Sequence, residues 1–496
     1  MKWMIMGLLA ALLLIGLGVV LTGGEGGGTA LSADPEAALL CTEGTEDANA
    51  FRLEAAVDKL GRALELDPSL AEAAIARAMA LARLGRSAEY KAELARADSL
   101  ALLIADDDRR MLAELRLSSF MGSRAFALRD SLLDRLKQEM PRNIHVLVAQ
   151  AGETQREGDL EAQEQAWLRI LEIEPSFANS YNMLGYLELH RGDYDQAIEY
   201  MQKYAFLAPD LANPHDSLGE VLMTIGRYEE AEEEFRAALK MQPDFFHSMI
   251  NLGRVYLARG QIRTGREILE KVRGLVAGSE LEKHVDREMV GTYVVNGLED
   301  ELRQLTAGIV ARYPDDATTG FYRAMGLAYA GRAQEGQAVM DSCLGVWRSG
   351  EIYGKSLESR LHIDYADRQF DALVADVADD PATAARLWQR VVDLIDGERP
   401  FHETWFDRYR LATALRADER PAEALAVIEP ILAANPRSLN VLVLAVRCFL
   451  DLGRVGEARQ ALDQLAWSVA KADADFPARA AAAELEQQVA AREGAP

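Results

Sequence analysis

The sequence predicts an all-α fold, a solenoid of antiparallel helical hairpins, and three observations carry that expectation. Leu184-Gly185, Leu218-Gly219 and Leu252-Gly253 recur at intervals of 34 residues, as do Gly192, Gly226 and Gly260. Pro175, Pro209 and Pro243 keep the same interval, and Pro141 lies one step earlier. Alanine, leucine, glutamate and arginine dominate many windows, and all four favour helix. Each recurring position has a physical task. Small residues such as Gly185, Gly219 and Ala197 let two helices approach closely. Gly192, Gly226 and Gly260 end a first helix, where a left-handed cap suits glycine. Pro209 and Pro243 follow a second helix that cannot continue through them. Leu184, Met201, Leu218 and Phe235 form an apolar face that one hairpin cannot bury alone, so neighbouring hairpins must stack.

One unit carries Tyr181, Leu184-Gly185, Gly192, Tyr194, Ala197 and Pro209 at fixed offsets. The next repeats the pattern with Leu218-Gly219, Gly226, Tyr228, Ala231, Phe235, Ala238 and Pro243. This combination resembles the tetratricopeptide repeat. The resemblance implies a right-handed superhelix of antiparallel hairpins with a concave groove, a non-enzymatic scaffold that binds a protein or peptide.

The elements follow in order. From Trp3 to Leu21 the chain is apolar or glycine for nineteen residues. At about 1.5 Å per residue such a helix approaches the ~30 Å hydrocarbon core of a bilayer. Lys2 is the only charge before it, and six acids precede the next basic residue, Arg52. Positive-inside bias then keeps the N-terminus cytoplasmic and carries the rest across, to the periplasm or cell surface. The segment 1–22 is therefore read as a signal anchor. A signal peptide cut after Gly28-Thr29-Ala30, leaving a secreted or periplasmic protein, is the alternative. A glycine-rich linker covers 23–35.

Irregular hairpins follow over 36–143, starting with a helix from Glu36 to Thr45 and marked by Ala56, Ala63, Pro68, Gly85 and Leu94. The clear array is 144–279, with units 144–177, 178–211, 212–245 and 246–279. Further hairpins over 280–350 are marked by Gly297, Pro314, Gly331 and Gly336. The segment 351–404 is irregular and helical, with a unit near 354–387 and an added helix near 382–396. Ala424, Pro436, Gly453 and Ala458 restore the phase over 405–472, and 473–496 supplies a capping helix.

Composition narrows the function. The net charge of −25 repels phosphate backbones, so no nucleic-acid partner is expected. Cys41, Cys343 and Cys448 are too far apart for a CxxC metal or redox site, and no cofactor or metal is implied. His402-Glu403 lacks the second histidine of a zinc-protease helix, and no nucleophile elbow or phosphate loop occurs. No catalytic residues emerge. A cryptic enzyme domain within 351–496, where Trp388, His402, Trp405 and Tyr409 cluster, is the rival reading. Another is a cell-envelope assembly factor that self-associates through its terminal hairpins.

The resemblance also nominates a site, because first helices line the groove at fixed offsets. Those offsets select His145, Asn179, Asn182, Tyr186, His190, Asn213, Asp216, Glu220, His247 and Arg254, with Val148, Leu189 and Ile250 between them. The strip is polar and of mixed charge, and its asparagine amides suit an extended peptide backbone. A lysine-and-asparagine clamp for C-terminal carboxylates is disfavoured, since Val148, Asp216 and Glu220 stand where it would be.

Overall fold

The computed structural model describes residues 32–494 except 51, 85, 119–125, 158, 279, 297, 315, 350–356 and 397–400. The apolar run and its anchor reading lie outside the described residues, as do Gly85 and Gly297. No helix among the described residues is long and apolar enough to cross a membrane.

All regular structure among the described residues is helical, and the fold is an all-α solenoid. The first helices are α1 (Pro35–Asn49), α2 (Leu53–Leu66), α3 (Ala71–Arg83), α4 (Ser87–Ala101), α5 (Asp107–Ser118) and α6 (Phe126–Glu139). The regular array holds α7 (Ile144–Glu157), α8 (Leu160–Ile173), α9 (Ala178–Arg191), α10 (Tyr194–Leu207), α11 (Ala212–Thr224), α12 (Tyr228–Met241), α13 (Phe246–Ala258) and α14 (Ile262–Leu275). After it come α15 (Glu280–Val295), α16 (Glu299–Arg312), α17 (Gly320–Tyr329) and α18 (Ala333–Ser349). The chain ends with α19 (Leu357–Val377), α20 (Pro381–Ile395), α21 (Trp405–Ala417), α22 (Pro421–Ala434), α23 (Leu439–Asp451), α24 (Val455–Ser468) and α25 (Pro477–Glu493).

Local chemistry sets the ends of these helices. Asp34 caps α1 by accepting from the amides of Glu36 and Ala37, with Pro35 in the first turn. Asp380 caps α20 through the Thr383 amide, again with a proline, Pro381, at the start. Gly192, Gly226 and Gly260 take φ of 85°, 80° and 75°, the left-handed turn expected of them.

The close approach inside a hairpin also repeats. A Cβ on Gly185 would stand 2.8 Å from Met201 Cε, one on Gly219 2.6 Å from Phe235 Cε1, and one on Gly253 2.9 Å from Leu269 Cγ. Met201, Phe235 and Leu269 are themselves buried, so each glycine is the floor on which a core side chain rests.

Over 354–387 one repeat unit was expected, with an added helix near 382–396. α20 falls at that added helix, while α19 runs for 21 residues as a single helix and pairs with α20, which also packs on α21. The turn between α19 and α20 is made by Asp379 at φ 55°, and the one between α21 and α22 by Glu419 at φ 59°. Neither is a glycine, unlike Gly192, Gly226 and Gly260 in the regular array.

The chain divides into two compact units. The first comprises Met1–Glu188, Asp195–Ser217 and Ser279–Leu281, and the second Leu189–Tyr194, Leu218–Gly278 and Glu282–Pro496. In the first, Leu40, Val57, Leu60, Ile75 and Leu81 build a core between α1, α2 and α3. In the second, one continuous core runs from Met249 to Val489, with Trp347, Phe370, Trp388 and Phe476 among its largest members.

Candidate functional site

Successive first helices present the nominated residues, and packing decides how each is held. In the first unit, Asn179 and Asn182 on α9 and Asn213 and Asp216 on α11 are buried, while His145 and Tyr186 are partly buried. The sequence reading placed them on a polar strip lining the groove. The difference arises because four nominated side chains are short and lie close to their own backbone, where neighbouring helices cover them.

Asn213 and Tyr186 are among the paired groups. Asn213 Nδ2 donates to the Tyr204 hydroxyl at 3.1 Å, and burial pushes that phenol up to about 12. The Tyr186 hydroxyl donates to Ser217 Oγ at 3.2 Å. Asn179 and Asn182 differ. Neither the oxygen nor the nitrogen of either carboxamide has a hydrogen-bond partner, and Ser180 Oγ beside them has none. Asn182 is 0% exposed. Leaving a buried polar group unmet costs about 1–3 kcal/mol, so α9 holds a concentrated deficit.

In the second unit, Glu220 Oε1 accepts from Asn251 Nδ2 at 3.2 Å, and Asn251 Oδ1 accepts from Arg254 at 3.0 Å. This relay fixes both nominated charges. His247 lies with its ring centroid 6.4 Å from that of His284, and its burial, then the neighbouring His284, pushes it down to about 3. His190 and Arg254 act electrostatically on His402. Burial above all, with the charges of His190 and Arg254, holds His402 near about 4 against the opposing effect of its hydrogen bond to the Leu189 backbone. The sequence reading missed His402, Asn251 and Ser217 as neighbours of the strip. His402 had no repeat offset to reveal it. Val148, Leu189 and Ile250 are buried core residues.

The aromatic cluster behind the enzyme reading is partly structural. Trp388 is fully buried, donates Nε1 to Asp376 at 2.7 Å and meets Phe406 edge-on at 5.8 Å. Asp376 also accepts from Arg410. Tyr365, Gln369 and Asp407 form a second closed network, with bonds of 2.8–2.9 Å.

A cavity of about 250 Å³ lies in the second unit between α14, α15 and α16. Arg266, Glu270, Arg273, Tyr293, Glu301 and Arg312 are among the residues lining it. Its charges are already matched: Arg273 pairs with Glu270, Arg266 approaches Glu301 at 3.8 Å, and Arg312 donates to Asp286 at 2.7 Å. No group of three His, Cys, Asp or Glu among the described residues is placed to hold a metal ion.

A family model for the tetratricopeptide repeat matches residues 222–280 and 415–485, and a second matches 166–199. No curated protein matches the chain in sequence. Among solved structures, a mutant O-GlcNAc transferase of Thermobaculum terrenum is 28% identical over 26% of this chain and 26% of that one, with a TM-score of 0.25. The similar part therefore spans about a quarter of the transferase's length. A chain of the APC/C hetero-tetramer Cut9–Hcn1 is 13% identical over 91% of this chain and 84% of its own, at TM-score 0.46. MamA is 18% identical over 30% of this chain and 86% of its own, at TM-score 0.27.

Proposed function

We propose that this chain, which carries tetratricopeptide repeats at 166–199, 222–280 and 415–485, is a non-enzymatic scaffold that grips an extended protein or peptide segment along its first-helix face. Repeats of this kind generally bind protein partners. The observation that carries the reading is the pair Asn179 and Asn182, whose carboxamides lack partners inside the fold. Each amide offers two donors and an acceptor, and an extended backbone offers alternating C=O and N–H groups to match. By repeat offset, Tyr186 and His145 belong to the same face; both are half-buried and supply an aromatic edge and a second hydrogen-bonding ring. Asn182 lies below the surface, so engaging it requires α9 and its neighbours to part locally. Association is therefore slow, below the usual ~10⁵–10⁷ M⁻¹s⁻¹.

One substitution separates this role from a purely structural one. Asn182→Leu removes the unmet amide, so it raises stability in chemical denaturation by about 1 kcal/mol or more. A photoreactive group at position 186 captures partner peptides in the parent chain and loses them in Asn182→Leu. Undiminished capture by the more stable variant would falsify the site.

The scaffold is further proposed to be tethered by 1–22 with its repeats outside the cytoplasmic membrane. The apolar run from Trp3 to Leu21 and the acid-rich stretch before Arg52 support this. Alkaline phosphatase fused after residue 472 is then active, and the full-length product stays in membranes. An inactive fusion, or a shortened soluble product, rules the tether out.

A further inference from the structure

Two stretches of the second unit separated by 211 residues meet through their interhelical turns. Asn435 Nδ2 donates to the Thr224 carbonyl and to the Tyr228 hydroxyl, both at 3.1 Å. Arg437 pairs with Glu229 and donates to the Gly226 carbonyl at 3.3 Å. Its guanidinium carbon lies 4.9 Å from the Tyr228 ring centroid and 4.7 Å from that of Trp467. At a second point, the Asp473 amide donates to the Gly260 carbonyl at 2.9 Å, and the Arg263 amide donates to Asp473 Oδ2 at 3.0 Å.

The turn glycines fit this contact as well as their own helices. A Cβ on Gly226 would stand 2.4 Å from Asn435 Oδ1. One on Gly260 would stand 2.6 Å from Ala472 Cβ and 2.7 Å from Phe476 Cδ1. Both segments that match the same repeat model, 222–280 and 415–485, are thus joined at their turns.

The chemistry of this junction differs from that of the array. Hairpins in a solenoid are held by their nearest neighbours through apolar helix faces. Here the partners are distant in sequence, and most of the contacts are main-chain carbonyls, an amide, an ion pair and guanidinium stacking. Glu229 is 50% exposed, so its pairing with Arg437 is open to screening by salt. Parting the two turns uncovers Tyr228, Ala472 and Phe476 at the seam, while each hairpin keeps its own stacking neighbours.

We propose that these contacts form a reversible latch that holds the second unit closed on itself and opens while its hairpins stay folded. Opening it separates the two repeat segments and widens the face that carries Glu220, Asn251 and Arg254. Only that consequence for binding rests on the groove reading above.

The test uses the full chain carrying Asn435→Ala and Arg437→Glu together. Small-angle scattering then gives a larger radius of gyration, while helical circular dichroism is unchanged. Amide exchange at Thr224–Arg227 and at Asp473 speeds up by about tenfold or more. The parent chain moves in the same direction in about 1 M salt. An unchanged radius of gyration overturns the latch, because hairpin stacking alone would then set the shape. Loss of helical signal also overturns it, because the contact would then be part of the folded core. None of these readouts involves a partner, so this failure stays distinct from failure of capture at position 186, which lies in the first unit.

Discussion

Gly219 and Phe235 stand sixteen residues apart in sequence and in direct contact in the fold, and the same spacing recurs for Gly185 with Met201 and Gly253 with Leu269. The residue that meets each glycine decides what a larger one would do. Phe235 is a rigid, fully buried ring, so Gly219→Ala forces backbone or ring displacement and destabilises by about 1–3 kcal/mol. Met201 is unbranched and can swing its terminal methyl aside, so Gly185→Ala is milder. Urea denaturation of the two variants checks the order, and equal losses would contradict it. These small residues were legible beforehand because contact inside a hairpin returns with the repeat. The fate of Asn179 and Asn182 was not. Their offset placed them on the first-helix face, but how deeply they sit depends on the side chains that close over them.

At the level of elements, regularity of the turn governed what could be foreseen. Where Gly192, Gly226, Gly260 and Gly453 adopt positive φ, the hairpins fall where their spacing indicated. Where Asp379 takes the left-handed conformation instead, no turn glycine marks the phase, whereas at Glu419 the phase stays legible because Pro421 and Ala424 mark the second helix. That is why α19 was harder to read than α13 and α14. The closing helix α25 was expected as a cap, and its buried residues Ala478, Ala482, Leu485 and Val489 face α23 and α24. Glu486 and Glu493 bind Arg459 from the same side. Ending the chain at Phe476 therefore exposes an apolar face and lowers stability by about 3 kcal/mol or more. Increased binding of an apolar dye together with a lower melting temperature checks this, and an unchanged melting temperature would show that α25 is dispensable.

Across the second unit, two histidines tie stability to pH. His247, pushed down to about 3 by burial and then His284, and His402, pushed down to about 4 chiefly by burial, stay neutral in the folded state at pH 5. In the unfolded chain each has a pKa near ~6.5 and binds a proton first. Stability is therefore full above about pH 6.5 and falls as pH drops toward the native values, by roughly 2 kcal/mol per histidine between pH 7 and pH 5. Denaturation at the two pH values reads this directly. His247→Gln with His402→Gln flattens the difference, and an undiminished pH dependence would assign it to other groups.

The hairpins themselves, their 34-residue period, their glycine turns and their small-residue contacts were determined by the sequence alone. Each depends on residues close together in the chain, and a solenoid repeats such contacts at fixed offsets. Tertiary structure alone decided which polar side chains are buried without partners, and that His190 and Arg254 act electrostatically on His402. It alone brought Asn435 and Arg437 to Thr224 and Glu229. Such meetings depend on small rotations summed over many hairpins, including those whose turns carry no glycine, and no fixed offset records that sum.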